Sequence, residues 1–270
     1  MTDRLRLRIS PCPNDTFMFE ALLNGRIPTQ GLAFEVGFQD IEELNEGVSS
    51  PDGPDISKIS YAVLPAVVDR YALLDSGSAL GRGNGQLLVR RRGDRSPIRR
   101  VAIPGELTTA NAMLLRFFPS IVDRTPVLFS EIAAAVERGA FDAGVLIHEG
   151  RFTYERHNLE LVADLGALWE TGLPLPLGGI VASRELPAEV RRTFDRVLHD
   201  SIAYALEHPT VSRPFVREHA RELDDEVIDR HIALFVNRYS LALGEEGRRA
   251  VRELTGLPDL RLGWEPLHGS

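Results

Sequence analysis

Of the seven histidines in this 270-residue chain, His148 is the one whose setting suits proton transfer. It directly follows the apolar run Ala143 to Ile147, so it stands where a strand ends. Imidazole is also the side chain whose ordinary pKa, about 6.5, lets it accept a proton near neutrality. The plainer reading, a histidine that only hydrogen-bonds a neighbouring loop, stands beside the catalytic one. His148-Glu149 begins a zinc-protease pattern, but Phe152 occupies the place of the second histidine, so no metal site is expected. Asp142 and Glu149 bracket the strand and read as surface carboxylates rather than an acid/base pair.

Other groups point to ligand binding. Lys58 and Ser60 end a second strand-like run, Thr109 opens a helical stretch, and Asn14 lies in the SPCPND loop. Arg151 and Tyr154, just after His148, are further cleft candidates, with exposed surface positions as their plain alternative. Cys12, the only cysteine, would be a nucleophile if His148 served as its base. Proline on both sides instead favours a rigid loop around an inert thiol. The stretch GRGNG (81–85) lacks the Lys-Ser/Thr ending of a phosphate loop and the third glycine of a dinucleotide fingerprint. It reads as a turn or hinge, and no cofactor is expected.

Elements that would bring these residues together recur along the chain as an apolar run, a polar joint and a helical pattern, the mark of an α/β fold. Leu5 to Ile9 leads through SPCPND into a helix from about Thr16 to Asn24, capped by Asn14 or Asp15. Ile56 to Ser60 leads to a helix near Tyr61, and Arg100 to Ile103 leads to one capped by Thr108 or Thr109. Ser130 would cap the helix before the His148 strand. Helix starts at such joints aim backbone N–H groups at the space beyond the strand ends, which suits a carboxylate-bearing small molecule. Gln86 to Arg90 and Gly178 to Ser183 read as crossovers, dividing the chain into one lobe of 1–90 plus 180–270 and an inserted lobe of 91–179. The C-terminal part is helical at Glu189 to Glu207, after Asp224, and at Glu245 to Leu254. His199, His208, His219 and His231 are assigned there to structural or solvent-facing positions.

Composition narrows the function. Lysine plus arginine number 31 against 39 acidic residues, a net charge of −8, which disfavours nucleic acid as a partner. Charges interrupt the N-terminal stretch and no apolar run reaches the roughly 20 residues needed to span a bilayer, so neither export nor a membrane span is expected. With its single cysteine the chain suits a reducing, cytoplasmic setting. A homodimer is compatible with the sequence but not specified by it.

The motifs SPCPNDTFMFEALLNG from Ser10, KISYA from Lys58, GSALGRGNG from Gly77, TTA from Thr108, IHEGRFTY from Ile147 and GLPLPLGG from Gly172 are collinear with one family. Through them the chain resembles the 1,4-dihydroxy-6-naphthoate synthases over nearly its full length. The resemblance implies a fold like the type II periplasmic binding proteins, with mixed, mostly parallel sheets flanked by helices and substrate held between the lobes. It further implies cleavage of cyclic dehypoxanthine futalosine to 1,4-dihydroxy-6-naphthoate on the way to menaquinone, without metal or cofactor. On that resemblance His148 is the proton acceptor, and Lys58, Ile59, Ser60, Thr109 and Ala110 are substrate contacts; Asn14 and Tyr154 join them by position. No substrate contact is transferred to the divergent segment 45–54. Two other readings share the architecture: a non-catalytic carboxylate-binding protein and the chorismate dehydratase of the same pathway.

Overall fold

In the computed structural model, which describes residues 4–83, 85–220 and 223–263, the strand-like runs form two sheets. Asn84 of the GRGNG turn lies outside the described residues. The strands are β1 Leu5–Ile9, β2 Phe34–Phe38, β3 Ile56–Ser60, β4 Tyr71–Leu73, β5 Ala79–Gly81, β6 Leu87–Arg91, β7 Arg100–Ile103, β8 Asp123–Pro126, β9 Ala143–Leu146, β10 Leu159–Asp164 and β11 Leu175–Ser183. The first sheet runs β2-β1-β3-β11-β4 with β5 also paired to β11, and the second runs β10-β6-β9-β7-β8. β1 lies parallel to β2 and β3, and β7 parallel to β8 and β9. Every antiparallel pair contains β6 or β11. The sheets are therefore evenly mixed rather than mostly parallel, because the two strands by which the chain passes between sheets run against their neighbours.

Side chains alternate across the first sheet. Leu7, Ile9 and Ile56 pack with Phe194, Leu198 and Ile202 of the helix Ala188–Glu207, while Ile59, Leu73 and Val181 pack with Tyr61, Leu64 and Val251 on the opposite face. Each fully buried side chain of this size contributes about 1.5–3 kcal/mol of apolar burial. The helix Pro13–Leu23 is buried at every position from Pro13 to Leu22, since it lies between the sheet and the helices Ala188–Glu207, Pro209–His219 and Asp225–Phe235. A helix enclosed on all sides needs no polar face.

Two helix starts differ from the sequence reading. The first helix begins at Pro13 with Cys12 as its N-cap, because proline carries the helical φ and lacks the N–H that would go unpaired. Asn14 and Asp15 thus sit inside the first turn, with side chains released from capping. The helix before His148 begins at Phe129 after Leu128, with no side-chain cap, and Ser130 lies within its first turn. Thr108 does cap Thr109–Phe117, its Oγ1 accepting from Asn111 N at 3.2 Å. Among the described residues no helix is long and apolar enough to cross a membrane.

Candidate active site

Each sheet has a place where the chain reverses its direction of growth. From β1 the chain adds β2 on one side and then β3 on the other; from β7 it adds β8 and then β9 likewise. At such switch points adjacent loops diverge and leave a crevice beyond the strand ends. Residues from both crevices line one cleft: Ser10, Asn14, Asp15, Lys58 and Ser60 from the first, Thr108, Thr109, Ala110, Ile147 and His148 from the second. Gln86, Leu177 and Gly178, at the passages between sheets, complete much of its wall. The cleft contains about 690 Å³ of empty space, mouth included.

The first half is built around a buried carboxylate. Asp15 accepts from Ser10 Oγ at 2.7 Å, Asn14 Nδ2 at 2.8 Å and Lys58 Nζ at 3.0 Å, and both Asp15 and Lys58 are almost wholly buried. Desolvating such a pair is costly, and the additional hydrogen bonds to the carboxylate offset part of that cost. Lys58 is therefore a buried, paired lysine rather than a solvated surface one, and it lies with Asp15 at the cleft wall. Ser60 is fixed by Asn45, whose Oδ1 accepts from Ser60 N (2.8 Å) and whose Nδ2 donates to Ser60 Oγ (3.0 Å). That leaves the hydroxyl proton of Ser60 for a ligand.

His148 supplies the chemistry of the second half. It follows β9 in a left-handed conformation, φ 51°, which costs a non-glycine residue roughly 1 kcal/mol or more and gathers at functional sites. The Phe129 ring meets the imidazole edge-on at 5.2 Å, and its Nε2 has no hydrogen-bond partner among the described residues. Burial pulls its pKa down to about 4, with the Asp15 charge opposing and the Lys58 charge assisting. The ring is neutral at pH 7, and a neutral imidazole is the form a general base requires.

The remaining sequence-predicted residues separate. Thr109 lines the cleft, but its hydroxyl donates to Leu177 O at 2.8 Å, so it ties the two halves together; Ala110 adds a backbone N–H from the first helical turn. Ile59 turns its side chain into the core, because strand alternation that puts Lys58 and Ser60 in the cleft puts Ile59 on the other face. Tyr154 packs beside Val89 and Leu146 and is not among the cleft-lining residues. Arg151 is paired with Asp164 and donates to the carbonyl of Gly85, a cleft-lining residue, at 2.7 Å, but does not itself line the cleft. Cys12 is buried, and burial raises its thiol pKa well above the ordinary value, which removes the nucleophile reading. Of the two bracketing carboxylates, Asp142 accepts from the backbone N–H groups of Arg99 and Arg100. Glu149 is half-buried, with its pKa raised by burial.

Asp15, Asn45 and His231 escaped the sequence reading as site residues. His231, assigned to a structural or solvent-facing position, is fully buried beside His148 and bonded to Asn14. Its signal was present: Val227, Ile228, His231 and Phe235 recur at helical spacing, which places a polar ring on an apolar face.

The model of a family described as menaquinone biosynthesis matches residues 5–258. The chain belongs to that family. It is 46% identical over 256 residues to a 1,4-dihydroxy-6-naphthoate synthase of Thermus thermophilus, covering 93% of each chain. A Streptomyces coelicolor protein of the same name is 45% identical over 261 residues, covering 93% of this chain and 92% of the other. Among solved structures, an Archaeoglobus fulgidus protein superimposes with a TM-score of 0.86 at 33% identity, over 93% of this chain and 95% of its own. A Candida albicans protein described as having the generic periplasmic binding protein fold gives 0.68 at 12% identity, over 95% and 92%. At that identity the likeness concerns the fold alone, and the fold of this family member is periplasmic-binding-protein-like.

Proposed function

We propose that this chain is a 1,4-dihydroxy-6-naphthoate synthase, cleaving cyclic dehypoxanthine futalosine with His148 as the general base. The observation that carries the reading is a neutral imidazole with an unpartnered Nε2 at the junction of two switch-point crevices. His148 removes an acidic proton beside the substrate ketone. Donors from both halves of the cleft, such as the Ser60 hydroxyl and the Ala110 N–H, hold the negative charge that develops on oxygen. Carbon–carbon cleavage and aromatisation follow. A substrate carboxylate is accommodated by the N-terminus of Thr109–Phe117, and the names of the relatives support the reaction class.

The two sheets act as the cores of two lobes, 1–90 with 180–270 and 91–179, trimmed at both junctions: β6 (Leu87–Arg91) belongs wholly to the second sheet and β11 (Leu175–Ser183) wholly to the first. A cytoplasmic setting fits a biosynthetic step of this kind. The test is to incubate purified protein with cyclic dehypoxanthine futalosine and follow 1,4-dihydroxy-6-naphthoate by chromatography, with His148→Gln alongside. Wild-type product and a loss of roughly 10²- to 10⁴-fold in the variant are expected. Substrate binding without product by the wild type would leave the non-catalytic binding reading.

A further inference from the structure

The ring of His231 lies nearly parallel to that of His148, at 15° with centroids 5.8 Å apart, and Phe235 meets it edge-on at 4.8 Å. Its Nε2 is 2.9 Å from Asn14 Oδ1, and its Nδ1 has no partner among the described residues. The hydrogen on this ring is located by elimination. Asp15, already receiving Lys58 and Ser10, is an acceptor, so the Asn14 atom facing it at 2.8 Å is the amide nitrogen. Asn14 then turns its oxygen to His231, and the ring nitrogen facing that oxygen carries the hydrogen. His231 is held as the Nε2–H tautomer, with a bare lone pair on Nδ1.

We propose that His231 is a positioning residue of the His148 site: its Nε2–H fixes the Asn14 amide against Asp15, and its neutral ring forms the wall beside that of His148. The inference rests on the reading of His148 as the base. It also explains why an amide, not a carboxylate, faces His231. A carboxylate at position 14 would favour the charged imidazolium, and that charge would sit near Lys58 and, once His148 has taken its proton, beside a second imidazolium. Asn14 holds the ring without charging it. Burial, then His148, then Lys58 all push the His231 pKa well below its ordinary value.

Two substitutions separate the donor from the ring. His231→Phe keeps a flat ring and loses the N–H; His231→Gln keeps an N–H donor and loses the ring. With the donor as the positioning element, kcat falls roughly 10- to 100-fold in the Phe variant with KM within about threefold, and Gln restores kcat to within about fivefold of wild type. Wild-type kcat in the Phe variant, or equal losses in both, overturns the proposal. A second measurement is independent of activity and of whether a variant folds: ¹⁵N ring shifts of histidine-labelled wild-type protein. His231 is expected to remain a neutral Nε2–H imidazole through the range in which a free histidine titrates; protonation within that range, or the Nδ1–H tautomer, overturns the assignment. Full activity in His148→Gln would sink the base reading while leaving this second measurement to judge His231.

Discussion

Lowering the pH tests the electrostatics of His148 directly. An imidazole with the ordinary pKa of about 6.5 is roughly 76% neutral at pH 7 and about 9% neutral at pH 5.5, so a base of that kind loses about eightfold in kcat/KM across the interval. With its pKa at about 4, His148 stays about 97% neutral at pH 5.5, and kcat/KM is expected to fall by only about 3%. The cause is the enclosure of the ring, which withholds water from the imidazolium more effectively than Asp15 attracts it. Stability carries the same signature with a definite sign. The unfolded chain takes up this proton near pH 6.5 and the folded chain only near 4, so acidification through that window favours unfolding, and the effect is absent above it. The assay is a pH series of initial rates on intact enzyme, with thermal melts at each pH for wild type and His148→Gln. An eightfold loss of kcat/KM between pH 7 and 5.5 in protein that remains folded would refute the reasoning, because it would mean that the ring is solvated.

Two further perturbations probe the scaffold. Lys58→Met strands the Asp15 carboxylate in a buried site, at a cost of about 3–5 kcal/mol. With an unfolding entropy of about 2.1 cal/mol/K per residue, that lowers the melting temperature by roughly 5–9 °C; adding Asp15→Leu is expected to recover part of the loss, and a drop below about 2 °C in the single variant counts against a charged pair. Gly105→Ala places a methyl group 2.2 Å from Glu42 Oε2 at a backbone φ of 156°, displacing the carboxylate that accepts from Leu107 N at 3.0 Å. Urea denaturation is expected to show about 1–3 kcal/mol of destabilisation, and an unchanged midpoint would show that this contact between the β7 loop and the helix Ile41–Ser49 is dispensable.

Much of the site was legible because strand ends are legible. The runs before Ser10 and Ser60 are short and alternate apolar with polar residues, the run before His148 is apolar throughout, and an α/β pattern directs such ends to one crevice. Hence Lys58, Ser60, Thr109, Ala110, Asn14 and His148 all line the cleft. Tyr154 lies outside the cleft lining because nearness in sequence to His148 says nothing of direction: after the left-handed turn at His148 the chain folds back against the second sheet. The cap assigned to Asn14 or Asp15 failed because Pro13 opens the helix earlier, and that shift is what frees both side chains for the site. Asn45 lay in a segment from which no contact was transferred, yet it holds Ser60 through two hydrogen bonds.

By itself the sequence determined the alternation of strand and helix, the absence of phosphate-loop and dinucleotide motifs, and the single imidazole standing at a strand end. These depend on neighbouring residues, on which local propensity and period act. Only the tertiary structure decided the ionic and protonic state of the site. Lys58 meets Asp15 across 43 positions and His231 meets Asn14 across 217, and the pKa of His148 follows from desolvation by the groups packed around it, Phe129 and His231 among them. Desolvation and charge pairing depend on distance in space, which the order of residues along the chain does not contain.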